Sequence, residues 1–177
     1  MRVLRLFLLA TLFLCLAPRA SLAQYKNGQF GFEGGYFFLG ENTGLTSHNF
    51  ALGLRGAYKN TDHWWFTARA MVSFPGEPVS PRDNTVVLFH LVPVEVRYYF
   101  QTDSFRPFVG VTNSFQFLFN QDQQSDVYWG PGVDAGMEFR LRRDLFLGFQ
   151  IDAYWMFVFE GPDAPILTAS TQLIFFL

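Results

Sequence analysis

Beyond about residue 28 the chain alternates large apolar side chains with small or polar ones, and residues 92–119 show the unit most clearly. At period two, the spacing that puts strand side chains on one face, Val92, Val94, Val96, Tyr98 and Phe100 fall on one side. Pro93, Glu95, Arg97 and Tyr99 fall on the other. Gln101-Thr102-Asp103-Ser104 is a polar turn. A second strand then starts at Arg106-Pro107, setting Val109, Val111, Phe115, Phe117 and Phe119 against Gly110, Thr112, Ser114 and Gln116. The same alternation predicts strands over about 29–39, 50–58, 64–74, 127–141, 145–157 and 167–177, with the fourth beginning near Val86, eight in all. Segments 59–63, 101–104 and 142–144 are tight turns, whereas 40–48, 75–85, 120–126 and 160–166 are longer. An even number of strands with short turns at one end and long loops at the other is the outer-membrane barrel arrangement. It predicts an all-β, eight-stranded antiparallel transmembrane barrel with both termini periplasmic.

Composition supports a membrane solution without helices. Of 177 residues, 50% are hydrophobic and 23 are Phe. After residue 23, however, Pro, Gly, Asp or Arg interrupts every run short of the roughly 20 apolar residues a helical span needs. A closed barrel also satisfies its backbone groups in lipid. Arg2 and Arg5 precede the apolar run LFLLATLFLCLA, and Ser21-Leu22-Ala23 offers a cleavage site, so residues 1–23 are expected to be a signal peptide and 24–177 the barrel. Leu14 before Cys15 does not fit a lipoprotein signal, and cleavage at 23 leaves no cysteine for a disulfide. The remaining 10 basic and 15 acidic residues give a net charge of −5, without the basic clusters that nucleic acid requires.

Volume decides which face points inward. An eight-stranded barrel holds only enough space for side chains, and four or five Phe, Val, Leu or Trp per strand would overfill it. The apolar face is therefore expected to meet lipid. The polar face then gathers Glu33, Glu95, Asp134, Glu138 and Asp152 with Arg55, Arg69, Arg97 and Arg140 in the lumen. Arg suits such a charge plug because its planar fork pairs carboxylates bidentately; the alternative reading of these charges is an ion-lined pore or a proton relay. Trp64, Trp65, Tyr98, Tyr99, Phe100, Phe105, Phe139 and Phe146 flank the short turns, and Phe74, Phe117, Phe119, Trp129, Trp155, Phe157 and Phe159 the long loops. Two such girdles mark the membrane–water boundaries. The long loops carry Glu41, Glu77, Asp83, Asp122, Asp126, Glu160 and Asp163 against Arg82 alone, an acidic outer rim of net −6.

The strand ending Val96-Arg97-Tyr98-Tyr99-Phe100, the restart Arg106-Pro107-Phe108-Val109-Gly110 and the run Gly130-Pro131-Gly132-Val133-Asp134-Ala135-Gly136 resemble the small outer-membrane β-barrel proteins of the OmpX-like and OmpA-like group. Leu167, Ala169, Leu173, Phe175 and Leu177 alternate back from the end as that group's assembly signal does, with Leu in place of the usual terminal Phe. The resemblance implies outer-membrane lipid and lipopolysaccharide as surroundings, the barrel-assembly machinery as a partner of the C-terminal strand, and an envelope protein partner. It implies no cofactor or metal and fixes no activity, since barrels of this size serve many roles. Lipid A-modifying enzymes on this scaffold pair a His with a hydroxyl. Here His48 lies in a loop, His63 in a tight turn and His90 on the expected lipid face, so no nucleophile–base pair is expected. The expected function is a non-enzymatic structural or interaction protein; a narrow channel or a carrier of small apolar molecules is the alternative.

Overall fold

The computed structural model describes residues 27–39, 48–74, 87–119, 125–158 and 164–177. They form eight strands: β1 (Gly28–Leu39), β2 (His48–Lys59), β3 (Trp64–Phe74), β4 (Val87–Tyr99), β5 (Phe105–Phe119), β6 (Ser125–Arg142), β7 (Leu145–Val158) and β8 (Ala164–Phe176). Each pairs antiparallel with the next, and β1 pairs with β8 to close the barrel. The backbone ladder therefore has no free edge, which is what a sheet in lipid requires.

Alternation sets the two faces as expected. On β1, Gln29, Glu33 and Phe37 are buried in the lumen while Phe30, Phe32, Tyr36 and Phe38 are exposed outside. The exterior is a continuous apolar band, including Leu52, Leu54, Phe66, Val111, Val133, Ile151 and Leu173. So large an exposed apolar surface is stable only against lipid. At the tight-turn end Trp64 packs on Tyr98 at 5.0 Å and Phe105 on Phe139 at 5.1 Å, forming the outward girdle. At the opposite end Trp129 packs on Phe157 at 5.6 Å. The side chain of Phe74 and the whole of Phe159 lie outside the described residues. Trp65, Tyr99 and Phe146 are not girdle residues: all three are buried in the lumen. Trp65 and Tyr99 directly follow Trp64 and Tyr98, and adjacent strand residues point apart.

The largest departure from simple alternation is on β4. Its pairing with both neighbours shifts by one residue, between Thr67 and Arg69 of β3 and between Leu91 and Val94 of β4 itself. One extra residue sits there beside Pro93, which has no N–H to give the ladder, and a bulge accommodates it. The faces invert across the bulge. Glu95, Arg97 and Tyr99 point inward below it, while Leu88, His90 and Val92 point inward above it. His90 therefore faces the lumen rather than lipid, and Val92 is internal rather than part of the lipid face.

Candidate functional site

The lumen is filled in three tiers. The middle tier is ionic and centres on Arg69 of β3, whose guanidinium lies 2.8 Å from Glu95, 2.6 Å from Asp152 and 3.1 Å from Glu33, and donates to Tyr154 Oη at 2.8 Å. Arg97 donates to Glu95 and Gln150 and stands 3.8 Å from both Asp134 and Glu138. Arg55 donates to Gln172 and, at 3.2 Å, to Glu138. Neutral side chains add further donors: Ser170 donates to Glu33 at 2.6 Å, Thr168 and Gln150 to Asp152 at 2.6 Å, and Tyr99 to Glu138 at 2.7 Å. Burial this deep tolerates charges only in such pairs.

Eight of the nine charged residues expected in the lumen are there; Arg140 is not. It is exposed near the end of β6, where pairing with β7 shifts between Arg140 and Arg142, and its guanidinium lies over the Phe146 ring at 5.3 Å. Arg106, where the alternation starts the fifth strand, takes the luminal place, 3% exposed and 3.6 Å from Glu138. Its position was readable, because Arg106 shares parity with Gly110, Thr112 and Ser114, all on the inward face. The exchange keeps five carboxylates against four guanidiniums.

Arg106 anchors the second tier, at the tight-turn end. Its guanidinium stands 4.2 Å from the ring of Tyr99, 5.1 Å from Trp65, 5.2 Å from Phe176 and 5.4 Å from Phe146. This aromatic box holds the cation by its ring faces. The third tier, toward the long loops, is apolar: Phe37, Ala51, Met71, Leu88, Tyr128, Tyr154, Met156 and Ile166 pack together. His90 lies among them, 4.9 Å from Tyr154 and 5.1 Å from Phe37 between ring centres. It is there because of the bulge at Pro93.

Glycines make room for these side chains. A Cβ on Gly110 would come within 2.6 Å of the Asp134 carboxylate directly across the β5–β6 ladder, and one on Gly132 within 2.9 Å of Thr112 and against the Tyr154 ring. The two-residue glycine spacing on β6 is thus a packing device. Glu95, Asp134 and Asp152 each bring an oxygen within 4.8 Å of the others. Arg69 and Arg97 already interleave with this cluster, so it does not fit the oxygen cage that Ca²⁺ or Mg²⁺ takes. The acidic rim residues Glu41, Glu77, Asp83, Asp122, Glu160 and Asp163 lie outside the described residues; Asp126 is in β6, but its side chain is not described.

No protein-family model matches the chain, and no curated protein sequence matches it. Solved structures do. Neisserial surface protein A superposes with a TM-score of 0.69 at 12% identity, covering 85% of this chain and 97% of that one. The N-terminal β-barrel domain of Pseudomonas aeruginosa OprF gives 0.52 at 15% identity over 83% and 97%. Ail, the attachment invasion locus protein of Yersinia pestis, in complex with the heparin analogue sucrose octasulfate, gives 0.52 at 13% over 84% and 98%. The chain has the fold of the eight-stranded outer-membrane β-barrels, closed around a charge-filled lumen.

Proposed function

We propose that the protein is an integral outer-membrane barrel that works as a closed, non-enzymatic scaffold, with both termini periplasmic and the long loops outside. The observation that carries this reading is the lumen itself. Side chains from all eight strands meet in the ionic and aromatic tiers, from Glu33 on β1 to Gln172 on β8, and are almost wholly buried. A barrel so filled offers ions no continuous wet path. The described histidines also support a non-catalytic role. His63 Nδ1 lies 2.7 Å from the Tyr99 carbonyl oxygen, and His90 has no hydrogen-bond partner among the described residues. The test is conductance in planar bilayers, where the wild type should show no steady current. A stable current whose selectivity follows Arg97 would overturn the plug.

The apolar outer tier favours the second reading, a carrier of small apolar molecules. Uptake of a fluorescent apolar probe into proteoliposomes without ion conductance would select it, and mass spectrometry of lipid A with and without the protein tests the enzymatic reading.

The working surface is proposed to be the acidic rim. Ail was crystallised with a polyanion, but loops of net −6 repel polyanions and favour a basic partner or divalent cations bridging to anionic lipopolysaccharide. Neutralising Glu77, Asp83, Asp122 and Asp126 together should leave folding intact while reducing cation retention or capture of a basic partner. Wild-type behaviour in both assays, at low and physiological salt, would rule this surface out.

A further inference from the structure

We infer that the lumen binds one proton, held at Asp134 and shared with Glu95. The ionic tier has five carboxylates for four guanidiniums, and the pairing shows where the surplus lies. Glu33, Glu95, Glu138 and Asp152 each accept at least one hydrogen bond, but neither oxygen of Asp134 does. Asp134 is 4% exposed, and its oxygens are screened from water. Arg97 Nε, 3.8 Å away, donates to Glu95 instead.

The groups facing Asp134 come from several strands. β4 presents Glu95 and Arg97, β7 presents Asp152 and Gln150, and β5 contributes only Gly110 directly opposite. Behind them stand Arg69 of β3, paired to both Glu95 and Asp152, and Glu138 of β6, paired to Arg55 of β2 and Arg106 of β5. Glu33 of β1 and Thr168 of β8 close the ring. All four guanidiniums therefore already hold other carboxylates.

The Asp134 and Glu95 carboxyls each bring an oxygen within 4.8 Å of the other and of Asp152. Two bare carboxylates so placed repel and cannot hydrogen-bond, whereas one proton supplies the missing O–H donor and cancels the surplus charge. A hydrated ion needs space that these screened oxygens do not have. The site adds a proton-binding function to the lumen, and its test does not depend on whether the barrel conducts.

Two measurements on the folded barrel in micelles decide it. Infrared spectra at neutral pH should show a protonated carboxylic-acid band that disappears in Asp134→Asn. Urea unfolding is the second, between about pH 7.5 and 9, above the range in which ordinary carboxyls and histidines titrate. There the folded state holds one proton more than the unfolded chain, so stability falls as pH rises, by up to about tenfold in the unfolding equilibrium per pH unit. Asp134→Asn, a neutral isostere, should fold and lose that slope. A missing band, a band retained in the variant, a flat wild-type slope, or an Asp134→Asn chain that cannot fold would each overturn the proposal. So would stabilisation of wild type, but not the variant, by Na⁺ or Ca²⁺ at fixed pH.

Discussion

Replacing Arg69 by Met keeps much of the side chain's bulk while removing the charge that holds three strands' carboxylates. Its partners Glu33, Glu95 and Asp152 lie within 3.1 Å of the guanidinium, and its side chain is 2% exposed. Glu95 keeps Arg97, and Asp152 keeps Thr168 and Gln150, so the chief loss is equivalent to stranding one buried carboxylate. The cheapest relief is for that group to take up a proton. From an ordinary carboxyl value near 4, this costs about 4 kcal/mol at pH 7, at about 1.4 kcal/mol per unit. The figure falls within the roughly 3–5 kcal/mol typical of breaking a buried ion pair. At pH 5 the same relief costs only about 1.4 kcal/mol, so the damage should shrink in acid. Urea titrations of folded protein in micelles, read by gel mobility and tryptophan fluorescence at both pH values, give the two numbers. Arg69→Lys should fall between wild type and Arg69→Met, since it keeps the charge and loses the fork. A loss below about 1 kcal/mol at pH 7, unchanged at pH 5, would mean that the lumen is hydrated and the ionic tier does not carry stability.

The exchange of arginines is testable by a pair of variants. Arg106→Ala should cost about 2–4 kcal/mol through its four ring contacts, and Arg140→Ala less than about 0.5 kcal/mol, both by urea midpoint. Gly110→Val should drive a side chain into the Asp134 carboxylate and destabilise the barrel by about 1–3 kcal/mol, checked the same way. In the exposed β2–β3 turn, the Lys59 ammonium donates to Asp62 at 2.5 Å and, with its charge, holds the Asp62 carboxyl below the usual aspartate range. That contribution is present above the unfolded aspartate value and lost as pH falls through the depressed one. NMR titration of Asp62 should show the depression and its disappearance in Lys59→Met or at high salt.

Much of this architecture is written in residue parity. Strand number, lipid face and most luminal charges follow from period two because each strand keeps one face apolar. Parity fails where a strand gains a residue or passes the last ring of the barrel. Residues 86–92 are apolar at almost every position, so alternation there has no phase, and only Pro93 hinted at the bulge that turns His90 and Leu88 inward. Arg140 has the parity of Glu138 but lies where the ladder shifts. Arg106 has the inward parity of Gly110 and Thr112 but opens its strand, where parity alone does not say whether a side chain lies inside the last ring of the barrel. Gln150, Thr168, Ser170 and Gln172 were readable as inward-facing, but their role as donors to specific carboxylates depends on distances across the lumen that no strand encodes alone.

The β1–β8 seam has a bearing on how the barrel is made. Glu33 pairs across that seam with Gln172 in the ladder and accepts hydrogen bonds from Ser170 at 2.6 Å and Gln172 at 3.2 Å. Arg55, one strand further, reaches Gln172 and Gln29 on the two sides of the same joint. These contacts exist only when the first and last strands meet in one register. Slipping by one residue turns Glu33 toward lipid, and slipping by two carries it away from its donors. Until closure, the open sheet presents unpaired carboxylates and guanidiniums that no hydrocarbon can solvate. The polar filling therefore acts as an inspector of the final joint: it rewards the correct closure, penalises the misaligned ones, and makes the last step of assembly all-or-none.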